Sequence, residues 1–152
     1  MSAEHDILNA ARDLLDATNE FSDIWLPGLD DPRGKPASEL LFCGLEPGAS
    51  RVVTGFDSEP WGAVVYETRI PIEIEVRNAD GEIRDETADR LLEVVKNTLD
   101  GQSLAGFTFP GKTYITQWQR AKARPPTRRI TATLVCQYLE EGWAAGDTTE
   151  DF

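Results

Sequence analysis

Residues 69 to 78 read RIPIEIEVRN and hold the pair of side chains best placed for chemistry, Glu73 and Glu75. On a strand, residues two apart point to the same face, about 7 Å apart at their Cα atoms. Two carboxylates at that spacing can hold a divalent cation for metal-assisted hydrolysis. The order Pro71, Glu73, Glu75, Arg77 has the outline of a metal-dependent nuclease core. The basic member of such a core should be a lysine, which can lose its proton, and Arg77 cannot. Arg69 and Arg77 share the face with the two glutamates, and such an alternation of sign is the pattern of a solvated or interface face. No catalytic residue is therefore expected.

Other chemistries find less support. The single histidine, His5, stands near the start of a helical pattern with no nucleophile in view. Cys43 and Cys136 are far apart in apolar contexts and read as buried thiols; with one distant histidine they make no zinc site. Asp30-Asp31 lies in a Pro/Gly loop without calcium-loop spacing. The glycines form no phosphate cradle. No metal and no cofactor are expected.

The remaining singular stretch is RAKARPPTRR, 120 to 129. Arg120, Lys122 and Arg124 alternate toward a Pro-Pro turn, and Arg128 and Arg129 return from it. From Lys112 to Leu139 there are six bases and no acid. These residues are either a solvated hairpin tip, a cationic finger that docks on an acidic neighbour, or a direct DNA contact. For a docking finger in a chain of net charge −12, the natural acidic neighbour is a second copy or a related acidic protein.

The whole chain has 152 residues, 40% of them apolar, which suits one compact domain. Its 27 acids against 15 bases argue against nonspecific nucleic-acid binding by the molecule as a whole. Only four bases are lysines, and a surface rich in acids and poor in lysine is expected of a protein kept soluble in strong salt. A halophilic source is expected. No window approaches a membrane span, and MSAEHDILNAARD has neither the basic nor the apolar region of a secretion signal.

The elements that must position these residues follow from hydrophobic period. Ser2 is placed to cap a first helix whose stripe is Ile7, Leu8, Ala11, Leu14, Leu15 and Phe21. Residues 22 to 39 hold three Pro and two Gly, and no regular element is expected there. ELLFCGLE (39–46) and SRVVTGF (50–56) read as short strands joined by a PGA turn, with Glu59-Pro60 interrupting after them. WGAVVYETRIPIEIEVRN (61–78) is the longest strand, with a break or bend expected near Pro71. After the ADGE turn, DETADRLLEVVKNTLDG (85–101) is the clearest helix, capped by Asp85, striped by Ala88, Leu91, Leu92, Val95 and Leu99, and closed by Gly101. SLAGFTFPG is a loop or edge strand. KTYITQWQRAKA (112–123) and RRITATLVCQYLEE (128–141) complete the sheet, the latter with Ile130, Ala132, Leu134, Cys136 and Tyr138 on one face. The acidic end from 142 to 152 reads as a frayed tail. The sum is an α+β domain with a mostly antiparallel twisted sheet and both helices on one face.

This layout, from RIPIEIEVRN through ADRLLEVVKNTLDG and SLAGFTFPG to RRITATLVCQYL, resembles the tail-terminator (minor tail protein U-like) proteins of long-tailed phages and archaeal tailed viruses. The likeness is one of layout over most of the chain, and it contains no catalytic motif. It implies a virion subunit, assembled in the host cytoplasm. Six copies would form a ring capping the head-proximal end of the tail tube and meeting a neck or stopper protein. Genome DNA would pass through the lumen without sequence-specific binding. The acidic, lysine-poor surface departs from the family and points to a halophilic host, and 22–39 is long for a simple terminator. A head–tail stopper, another neck ring protein, or a small non-viral adaptor domain are the alternatives. On the ring reading, Glu73 and Glu75 on one copy are expected to meet the basic hairpin (Arg120, Lys122, Arg124, Arg128, Arg129) on the next. Trp25, Trp61, Trp118 and Trp143 are the candidate apolar contacts.

Overall fold

The computed structural model describes residues 3–29, 31–34, 39–53 and 64–139. Ser2, Asp30, the Glu59-Pro60 interruption, Trp61, Trp143 and the acidic end from 142 lie outside them. The elements run α1 (Ala3–Ala17), β1 (Asp23–Trp25), β2 (Leu40–Leu45), β3 (Ala49–Val52), β4 (Val65–Arg77), α2 (Gly81–Leu99), β5 (Tyr114–Ala121) and β6 (Thr127–Leu139). The strands form one sheet in the order β1-β2-β4-β6-β5, with β3 also on β4, and only β1 and β2 are parallel.

Period-two alternation makes the sheet two-faced. Ile70, Ile72, Ile74 and Val76 of β4 and Ile130, Ala132, Leu134, Cys136 and Tyr138 of β6 turn to one side. Both helices cover that side, α1 through Ile7, Leu8, Ala11 and Leu15, α2 through Ala88, Leu91, Leu92, Val95 and Leu99. The fold is α+β, as expected. Leu91, Leu99, Ile70 and Leu134 are wholly buried, each contributing about 1.5–3 kcal/mol. Phe21 lies past the end of α1 yet packs on the same core. Cys43 and Cys136 are buried free thiols, and burial pushes both up to about 12.

Three expectations are corrected. The stretch from 22 to 39 contains a strand, β1, because Asp23–Trp25 gains a parallel ladder from β2. Pro71 neither breaks nor interrupts β4, which pairs with β6 without a gap from Val65↔Leu139 to Arg77↔Thr127. On its other edge β4 is shared: β2 pairs as far as Ile72 and β3 begins at Arg69. The Pro71 carbonyl accepts from Glu46 N at 3.0 Å. In an antiparallel strand a residue's nitrogen and carbonyl point to the same edge, so the nitrogen that lacks a hydrogen faces the β2–β3 link, where no ladder bond is lost. Gly48 in that link is required: a Cβ there would lie 2.1 Å from the Arg69 carbonyl oxygen.

The third correction concerns the cap of α2. Asp80, not Asp85, caps it, accepting from Glu82 N at 3.0 Å and Ile83 N at 3.1 Å. The helix therefore starts at Gly81 and takes in the end of the ADGE turn. Gly101 follows its end at φ +77, as placed. β5 carries a bulge between Thr116 and Gln119, which throws Trp118 outward under the Lys96 ammonium, 4.1 Å from the ring centre.

Candidate functional site

Glu73 and Glu75 lie on the sheet face opposite the helices, a face that is solvated at Arg51, Arg69 and Pro71 but covered at Glu75. Glu75 is 2% exposed. It accepts from Arg129 Nη2 at 3.0 Å and from Arg77 Nη2 at 3.2 Å. Glu73, half-buried, accepts from Arg33 Nη1 at 2.7 Å. Arg129 Nε also lies 3.1 Å from Glu73, a charge contact whose angle is poor for a hydrogen bond. Arg33 in turn grips Asp31 and stacks its guanidinium 4.7 Å above the Phe42 ring. The Arg77 Nη2 also donates to the Arg33 carbonyl at 3.3 Å, which closes the circuit Asp31, Arg33, Glu73, Arg129, Glu75, Arg77.

The sequence foretold the pair and its shared face but not this cover. Arg33 reaches Glu73 from 40 positions away, out of a single 3-10 turn, Pro32–Gly34, too short to show a periodic pattern in the sequence. The Arg33 guanidinium holds the Asp31 carboxyl below its usual range, and the same bond holds Arg33 above its own. Every carboxylate oxygen bonded here to a guanidinium has lost a position a cation could take.

A second cluster on this face went unnoticed in the sequence, although its alternation continues the same run. Glu67, 6% exposed, accepts from Arg51 Nη2 at 3.0 Å, Arg69 Nε at 3.1 Å and Gln137 Nε2 at 3.4 Å. Burial raises its pKa, but these donors outweigh it and leave the carboxyl below its ordinary range.

The basic hairpin divides. Arg120 pairs with Asp89 at 3.1 Å and Arg128 with Asp85 at 2.8 Å, both on α2, and Arg129 enters the circuit above. The Arg128 bond holds Asp85 below its usual range. The expected partners Arg129 and Glu73/Glu75 thus meet within one chain. Arg124 and the Lys122 ammonium are exposed and have no ion-pair partner among the described residues.

Among the described residues, no three His, Cys, Asp or Glu side chains converge as metal ligands. His5 is exposed on α1. No described helix is long and apolar enough to cross a membrane. The arrangement pairs charges across the sheet face.

No protein-family model matches the sequence, and no curated protein matches it. Solved structures do. A chain from a structure titled as the virion of a native gene transfer agent particle superposes with a TM-score of 0.56, covering 91% of this chain and 92% of that one at 12% identity. The two chains share a fold. A second solved chain superposes with a TM-score of 0.50 at 12% identity, covering 91% of this chain and 97% of that one. At that identity the likeness establishes architecture, from end to end of both partners.

Proposed function

We propose that this protein is a structural subunit of a tailed virion, and within that class a tail terminator. The observation that carries the reading is the end-to-end likeness to a chain of a gene transfer agent particle's virion. The order of elements adds to it, because the helix–sheet layout is the one that resembles the tail terminators. The outer sheet face suits a role in assembly: Glu67, Glu73 and Glu75 are paired there with arginines of the same chain.

On this reading about six copies close a ring on the head-proximal end of the tail tube and present a surface to a neck or stopper protein. A chain of charge −12 repels DNA, so a genome can slide through the lumen without sticking. Low lysine content fits assembly in strong salt, where exposed pairs are screened over about 3 Å at 1 M and apolar contacts must carry more. A head–tail stopper or other neck ring differs only in the partner it docks on.

The test is to add the purified protein to growing tail tubes of the same virus in high salt. A terminator halts growth and appears as a ring at one tube end in negative stain. Tubes that grow on unchanged, with the protein bound to a portal or neck protein instead, would assign it to the stopper class.

A further inference from the structure

The net charge is divided between the two sides of the molecule. On the helical side, α1 carries Glu4, Asp6, Asp13 and Asp16 against Arg12. Along α2, Glu82, Glu86, Asp89 and Glu93 are all exposed at i, i+4, i+7 and i+11, one stripe of a helix. Glu82 and Glu86 have no ion-pair partner among the described residues, and Ile83 beside them is 50% exposed.

The outer sheet side is close to balanced: Arg33, Arg51, Arg69, Arg77, Arg124 and Arg129 stand among Asp23, Asp31, Glu46, Glu67, Glu73 and Glu75. Its bases gather at the Pro125–Pro126 end, in an open recess of about 350 Å³ walled by Arg33, Arg77, Arg124 and Arg129 around Glu75. Arg124 on its wall, and Lys122 two positions earlier and outside the lining, are the exposed cations of this hairpin with no ion-pair partner among the described residues. Pro125 and Pro126 are exposed at the same tip and present apolar rings.

We propose that this recess receives the α2 stripe of a second copy, with Glu82 and Glu86 on Arg124 and Lys122, and Ile83 on the two prolines. The inference rests on the ring reading and names its surfaces. It moves the acceptor from Glu73 and Glu75, which are consumed within the chain, to α2. Donor and acceptor lie on opposite faces of the sheet at its same end, where Asn78 N donates to the Pro126 carbonyl at 3.0 Å, and in a head-to-tail contact a filled recess leaves the neighbour's own recess open for the next copy. Such a heterologous contact closes into a ring or runs on as a filament. The Ile83–proline contact keeps part of the interface outside the reach of salt.

Two single-cysteine copies of different tagged mass test this, Glu86→Cys and Ala123→Cys, mixed where the wild type assembles and treated with a short bis-maleimide. The native thiols are buried and do not compete. The expected product is the mixed-mass pair, formed at least 10-fold more than with Asp13→Cys in place of Glu86→Cys. A complementary pair of variants, K122E/R124E and E82K/E86K, should each assemble poorly alone and recover when mixed. Rings by negative stain with no mixed-mass product and no recovery would overturn the proposal and leave the ring reading standing. A closed reciprocal pair of copies would overturn the head-to-tail arrangement. A wild type that stays monomeric in every salt and on tube ends would overturn both.

Discussion

Arg129 stands directly across the β4–β6 ladder from Glu75 and donates to it at 3.0 Å, while its Nε lies 3.1 Å from Glu73. One guanidinium therefore bridges two carboxylates that would otherwise repel each other, one of them buried, and Arg33 and Arg77 supply the rest of the counter-charge. Truncating it should leave Glu75 with Arg77 alone. Arg129→Ala is expected to lower stability by about 2–3 kcal/mol, a figure tempered by the partial exposure of the guanidinium. Urea unfolding at fixed salt measures it. A loss within about 0.5 kcal/mol, the range of ordinary surface changes, would mean the circuit contributes nothing.

Acid should unfold the protein through the carboxyls held low by arginines. Glu67, Asp31 and Asp85 all have folded-state values below their ordinary ones. Stability from such groups is fully present above the unfolded value and is lost as pH falls through the folded one. For Glu67 the fall begins near its ordinary value of 4.5 and continues downward. The thermal midpoint, followed from pH 7 to pH 3 at constant ionic strength, should be flat above about 5 and drop below it. Glu67→Gln should be less stable at pH 7 and lose less on acidification; parallel curves would contradict the assignment.

Gly48→Ala tests the shared edge of β4. The added methyl would meet the Arg69 carbonyl at 2.1 Å, and backbone cannot swing aside as a side chain can. A loss of about 2–4 kcal/mol is expected, well above the roughly 0.5–1 kcal/mol that separates Gly from Ala in unstrained elements. Wild-type stability by the same urea measurement would show that the β2–β3 link is not held against β4 as described.

Cys43 and Cys136 should be silent to a thiol reagent at pH 8 in the native state, because only the thiolate reacts and burial pushes both up to about 12. Both should react at once in denaturant. Rapid native labelling of either would place it at the surface.

The sequence disclosed what depends on local period and concealed what depends on distant partners. The stripe from Ala88 to Leu99 and the alternation from Ile70 to Val76 are one-dimensional patterns, and each names its buried face. β1 is only Asp-Ile-Trp between loops; its strand character comes from β2, some twenty positions on. The cap of α2 is not legible because Asp80-Gly81 also reads as a turn, and a capping aspartate and a turn aspartate use the same side-chain bond to the following N–H groups. Glu73 and Glu75 were rightly placed on one face. Their burial was not legible, since the residue that covers them, Arg33, sits in a segment with no period to read.

That the chain forms a ring in a virion is the proposal on which the other readings depend. The most direct test is its mass in high salt by light scattering, with negative-stain images of the same sample in the presence and absence of tail tubes. The account predicts rings of about six copies, free or seated on one end of each tube. A protein that remains a monomer in both conditions, with bare tube ends, would contradict it.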